Sequence, residues 1–96
     1  MAHVIGRVKV RDFDQFEKAF AAKAEARKAK GCESVSIFRD PADRNSLVLH
    51  MRWATVDAAK AFLGNPELKQ YQKDVAGVVE GPHITIYEDS DVVGTN

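Results

Sequence analysis

Trp53 and Tyr71 are the side chains of this sequence best suited to act on a flat aromatic molecule. An indole stacks on a ring while its N–H orients a carbonyl oxygen. A phenol, if buried, must find a hydrogen-bond partner. Each also has a plainer reading, Trp53 as a large residue plugging the top of a sheet and Tyr71 as one ring of a packed helix. Phe16, Phe20 and Phe62 fall at helical spacing and either line an apolar cavity or simply fill a core. Gly6 interrupts a strand-like run, where it packs nothing. It leaves room for a ligand beside Met51, Trp53 and Ile84, or it marks a bulge or a tight contact with the first helix.

Other reactive types are present without a supporting constellation. His50 and Arg52 share one strand face and suit anion binding or proton transfer, or a structural pairing with Glu88 or a second subunit. His3, His50 and His83 share strand parity, which raises a metal site. His3 and His83 stand at the starts of antiparallel strands, however, about 15–20 Å apart at ~3.3 Å per residue. Bonds of ~2 Å cannot span that, so no metal is expected. Cys32 has no activating neighbour in sequence and is not expected to be a catalytic thiolate. There is no GxGxxG, P-loop, HExxH or GxSxG pattern, so nucleotide, zinc-peptidase and serine-hydrolase functions have no support.

These residues need elements to position them. The run from His3 to Val10 alternates as a strand, with Val4, Val8 and Val10 opposite Ile5, Arg7 and Lys9. Asp12 or Asp14 caps a helix whose stripe is Phe13, Phe16, Phe20 and Ala24; Asp14 with Glu17 has the form of a capping box, and Gly31 is the stop. Late basic residues Arg27, Lys28 and Lys30 suit the macrodipole. Glu33–Arg39 and Leu47–Trp53 alternate again around the turn-forming 40–46 segment, giving a hairpin. Thr55 caps a short helix carrying Val56, Ala59, Phe62 and Leu63. Asn65 and Pro66 start another, with Leu68, Tyr71, Val75 and Val78 as its buried stripe. Gly77 and Gly81 close it, and Pro82 opens the last strand. Residues 89–96 read as a loose polar tail. The order is βαββαβ, an α+β ferredoxin-like arrangement with both helices on one face of a four-stranded antiparallel sheet.

Ninety-six residues suit one domain, residues 1–96, and 14 basic side chains balance 14 acidic ones. That balance offers no field for DNA, RNA or anionic lipid. No run approaches the ~18–20 apolar residues of a membrane span, and charges interrupt the N-terminus where a signal peptide would lie. One cysteine cannot make an internal disulfide, which suits a reducing cytoplasm.

The sheet face opposite the helices is mixed. Ile5, Phe38, Val48 and Tyr87 stand among Arg7, Ser36, His50, Arg52 and Thr85. Burying each apolar side chain would contribute on the order of 1.5–3 kcal/mol, and charges left there need partners. A second copy packed face to face meets both demands, so a homodimer is expected.

The stretch Leu47 to Tyr71, LVLHMRWAT through NPELKQY, resembles the antibiotic biosynthesis monooxygenase (ABM) family of dimeric α/β barrels. Residues 3–88 fit that family's element order, and the strand ending in Trp53 before a short helix, a proline break and a second helix is the most specific match. The resemblance implies a homodimer with a pocket for a small aromatic or quinol, and no cofactor. It also implies family positions that this chain fills differently: Met51 where many members have Glu, Phe62 and Glu67 where many have His. The haem-degrading branch uses an axial His in that region and an Asn on the first strand, about where Gly6 stands, so haem degradation is not expected.

Three functions follow as expectations. The first is a cofactor-independent monooxygenase in which Trp53 and Tyr71 orient an electron-rich aromatic. The second is a polyketide-type cyclase or isomerase using Tyr71 as acid. The third is a non-catalytic dimer that binds a small ligand.

Overall fold

The computed structural model describes residues 1–90. β1 (Ala2–Val10) buries Ala2, Val4, Val8 and Val10 on one face and leaves Arg7 and Lys9 exposed on the other. Asp12, extended and just outside α1 (Phe13–Ala22), accepts the N–H of Asp14 at 3.1 Å. It is therefore the N-cap. Asp14 lies inside the first turn, so the box expected from Asp14 and Glu17 does not form at that position.

The single long helix expected up to Gly31 is two helices, α1 and α2 (Ala24–Ala29). They part at Lys23, whose φ of −100° and ψ of 7° leave the helical region and whose N–H bonds Phe20 O at 3.2 Å. No Pro or Gly announces this break. Across the break the Arg27 guanidinium reaches back and donates to the same Phe20 carbonyl at 2.7 Å.

β2 (Cys32–Arg39) and β3 (Ser46–Trp53) form the expected hairpin. In the turn, Asp40 and Asp43 carboxylates accept the N–H groups of Ala42 and Asn45. Thr55 then caps α3 (Val56–Leu63) through its hydroxyl, and Asn65 caps α4 (Pro66–Asp74), with Pro66 in the first turn. These starts fall where the cap residues place them.

The end of α4 differs from the reading above. The helix stops at Asp74 and has no buried residue; Val75 is 47% exposed. Val78 belongs to β4 (Val78–Glu88), paired with Val10. Gly81 and Pro82 therefore lie within the last strand, at a bulge where the β1–β4 register shifts beyond Arg7. Gly81 has φ +86°, and a Cβ there would stand 2.6 Å from Arg7 O, so only glycine fits. Gly81 looked like helix punctuation in sequence, but here it lies in a strand; Pro82, expected to open the last strand, lies inside it.

The sheet order is β2-β3-β1-β4, all antiparallel and open at both edges, with helices packed on one face: a ferredoxin-like α+β fold. The core beneath the helices comes in two clusters. Val8, Val10, Phe16, Leu47 and Leu49 form one; Ala2, Val4, Met51, Trp53 and Ala59 form the other. Phe20 packs against both. On β1 the boundary between them is Gly6, which contributes no side chain.

The tail expected over 89–96 is described only to Ser90; residues 91–96 lie outside the described residues. Asp89 itself is anchored, accepting from His3 Nε2 at 2.6 Å.

Candidate functional site

Where Gly6 leaves the sheet bare, a cavity of about 60 Å³ opens between helices and sheet. Gly6 pairs regularly with Leu49 and Ile84, so it is not a bulge. A Cβ built on it would meet only Ile84 Cγ1, at 3.7 Å, so the first helix does not press on it. Of the two sequence readings of Gly6, open space is the one found.

Phe16 and Phe20 from α1, Phe62 from α3 and Tyr71 from α4 stand round this space with Met51 and Gly6 below them. Six of the seven residues proposed from sequence thus share one cavity wall. Trp53 does not. It is wholly buried behind Phe62, ring centroids 5.1 Å apart, and packs in the Met51 cluster. Its Nε1 has no hydrogen-bond partner among the described residues.

The cavity is smaller than the ~300–1,000 Å³ of common ligand sites and below the ~150 Å³ that accommodates a benzene. Leu63, Leu68, Gln72, Pro82 and Ile84 also line an open groove of about 580 Å³ between the α3–α4 corner and β4. The element between the two spaces is α4, which buries none of its residues.

Tyr71 Oη donates to the Ala19 carbonyl at 2.8 Å, fastening α4 to α1. That bond satisfies the phenol but commits its proton. Lys23 Nζ lies 4.5 Å above the Tyr71 ring, and the Arg27 guanidinium lies 3.7 Å above the Phe20 ring. Both cations line the cavity. Arg27 is only 7% exposed, and burial, the largest influence on it, pulls its pKa down. Arg27 and Lys23 were missed in the sequence because they read as ordinary basic residues of a helix end. The signal was present: Phe13, Phe16, Phe20 and Ala24 run at helical spacing, and Arg27 is the next position on that stripe.

The far face of the sheet carries a second set. His3 Nδ1 lies 3.0 Å from His50 Nε2, the rings stack at 5.2 Å, and His3 Nε2 bonds Asp89. The hydrogen bond from His3 is the main reason the Asp89 carboxyl sits below its usual range. His50 thus pairs within the chain to His3 rather than to Glu88. His83 stands opposite Arg7, four positions along β1 from His3, or roughly 13 Å at strand rise. Among the described residues no three metal-binding side chains are arranged to hold an ion. Cys32 is buried, its thiol donating to Ser34 O, and burial pushes its pKa up.

The family model "Antibiotic biosynthesis monooxygenase" matches residues 1–74. Solved structures agree on the fold. SnoaB, a cofactor-independent oxygenase from Streptomyces nogalater, superposes with TM-score 0.75 at 18% identity, covering 98% of this chain and 97% of that one. A Bordetella bronchiseptica protein carrying the family name gives 0.75 at 21%, covering 93% and 96%. A conserved protein from Methanosarcina mazei Go1 gives 0.72 at 13%, covering 93% and 92%. A comparison with curated protein sequences gives no match. No helix among the described residues is long and apolar enough to cross a membrane.

Proposed function

From the premise that this chain belongs to the antibiotic biosynthesis monooxygenase family, we propose that it binds a small, electron-rich aromatic or quinol over Gly6 and oxidises it with dioxygen, without a cofactor. The observation carrying this reading is the cavity ringed by Phe16, Phe20, Phe62 and Tyr71 above a strand position that has no side chain. SnoaB, a cofactor-independent oxygenase, shares the fold and supports the reaction class. An ionised quinol can itself pass an electron to dioxygen, so the protein need only orient it, shed its water and stabilise negative charge. Aromatic walls supply the first two; Lys23 and Arg27 supply the third.

A homodimer goes with this reading. Phe38 and Tyr87 are 57% and 55% exposed on the open sheet face, and a second copy on that face would close the sheet into a barrel. The cytoplasm is the compartment that goes with Cys32 as a free thiol.

A second reading, ligand binding without catalysis, is favoured by one feature. Among the described residues no His, Asp or Glu lines the cavity, and Tyr71 already donates to Ala19. That feature also weighs against a cyclase using Tyr71 as acid.

The deciding experiment is oxygen uptake with a panel of hydroxynaphthoquinols and anthrones, run with and without protein. Turnover above the protein-free rate, abolished under nitrogen, supports the oxygenase. Product formed under nitrogen indicates the cyclase. A panel member that binds without being turned over leaves ligand binding as the function.

A further inference from the structure

Resting on the reading that the cavity takes an aromatic ring, we propose that its ligand is an aromatic acid whose anionic oxygen, carboxylate or phenolate, is received by Arg27 with Lys23 beside it.

Charge is unevenly placed around the cavity. Across the whole chain, basic and acidic residues are equal in number. Around the inner cavity stand Lys23 and Arg27, and around the groove outside it Lys60, Lys69 and Lys73. Among the described residues no Asp or Glu lines either space. The cations are therefore gathered along one path, from the surface to the rings.

Arg27 sharpens the point. A guanidinium has five N–H donors and stays charged in a protein. Here it is 93% buried and makes one hydrogen bond, to Phe20 O, with no carboxylate in ion-pair range among the described residues. A buried charge without a counter-ion is costly. The two neighbours able to become anions do not serve. Cys32 is held as a thiol by its burial, and Tyr71 donates its proton to Ala19. Arg27 lines both the inner cavity and a surface hollow beside Cys32 and Ser34. The cavity it borders is otherwise mostly apolar, with Phe16, Phe20, Phe62 and Tyr71 among aliphatic side chains, so the partner that suits it there is an anion carried on an apolar ring. A planar guanidinium grips two carboxylate oxygens at once or one phenolate oxygen. The outer lysines, exposed and screened by salt, draw such a ligand in without fixing it.

The test is calorimetric titration of the full chain with 2-naphthoate, 2-naphthamide and 2-naphthol. The expected result is that 2-naphthoate binds about tenfold or more tightly than the uncharged amide, as a charge-assisted hydrogen bond implies. Arg27→Gln should erase that preference while retaining the amide's affinity, and Arg27→Lys should keep part of it. If Arg27→Gln does not fold, Lys23→Met provides the same comparison, with a smaller loss expected. The 2-naphthol arm separates the two sources of the anion. Binding that strengthens as pH rises through the naphthol's own ionisation identifies phenolate as an accepted form.

Equal affinity for acid and amide in the unmodified protein overturns the inference and leaves the aromatic pocket standing. So does an Arg27→Gln variant that loses both ligands in proportion, for then Arg27 serves only to tie Phe20 O to α2. Binding of none of the three probes overturns the pocket reading itself, and the inference with it.

Discussion

The Tyr71 hydroxyl and the Ala19 carbonyl, 2.8 Å apart, join the last helix to the first. α4 has no fully buried residue, and this bond holds it beside the packing of the Tyr71 ring on the core and the Gln15 bond to Val75 O. Tyr71→Phe keeps the ring in the wall and removes the tether. We expect the urea midpoint to fall by an amount equivalent to about 1–2 kcal/mol, with 2-naphthoate still bound. An unchanged midpoint would mean that the bond contributes nothing in solution.

Gly6 determines whether there is a cavity at all. A methyl at this position would touch Ile84 at an ordinary 3.7 Å. Gly6→Ala should therefore be tolerated, and removing a strand glycine should stabilise by roughly 0.5–1 kcal/mol. Gly6→Val should fill the space between Val4 and Val8 and abolish 2-naphthoate binding without unfolding the chain. Thermal melting and calorimetric titration of both variants check this. Full binding by Gly6→Val would move the site elsewhere.

Trp53 lies behind the wall, and its substitution should register as lost packing. Trp53→Phe removes part of a fully buried ring but also an indole N–H that has no partner. We expect a net loss of roughly 1–2 kcal/mol and an unchanged ligand affinity by equilibrium dialysis. A selective loss of affinity at unchanged stability would return Trp53 to the site.

Burial raises the Cys32 pKa, with Arg27 partly opposing it. A thiol whose folded pKa exceeds its unfolded value adds stability that is complete below the unfolded pKa and is lost as pH rises through the folded one. Stability should therefore not respond to Cys32 around neutrality, and should begin to fall as pH enters the ordinary thiol range. Cys32→Ser should remove that alkaline decline. At neutral pH a disulfide reagent should modify the native chain far more slowly than the urea-unfolded one.

The exposed ring of Phe38 lies on the face assigned to a second copy. Phe38→Glu should convert a dimer into a monomer by light scattering while leaving circular dichroism unchanged. A monomer before substitution, at micromolar concentration, would rule out the face-to-face assembly.

Much of this molecule was legible as a string. The alternation of β1 and β3 determined which residues face the helices, because side-chain direction in a strand has a strict period of two. The Thr55 and Asn65–Pro66 starts were legible because capping is local chemistry between a side chain and the next few N–H groups. Six of the seven proposed pocket residues share one wall because face and period suffice to gather them.

The rest depended on contacts between distant residues. Helix α1 ends at Ala22, and Arg27 bonds the Phe20 carbonyl across the break, a contact that composition does not announce. Gly81, read as a helix stop, lies in a strand because β1 pairs past it with a shifted register. Trp53 lies behind the cavity wall and Arg27 lines the cavity for the same reason. Periodicity tells which face a side chain takes, but its depth beneath its neighbours, and whether a charge there meets a counter-charge, is decided only when the helices settle on the sheet.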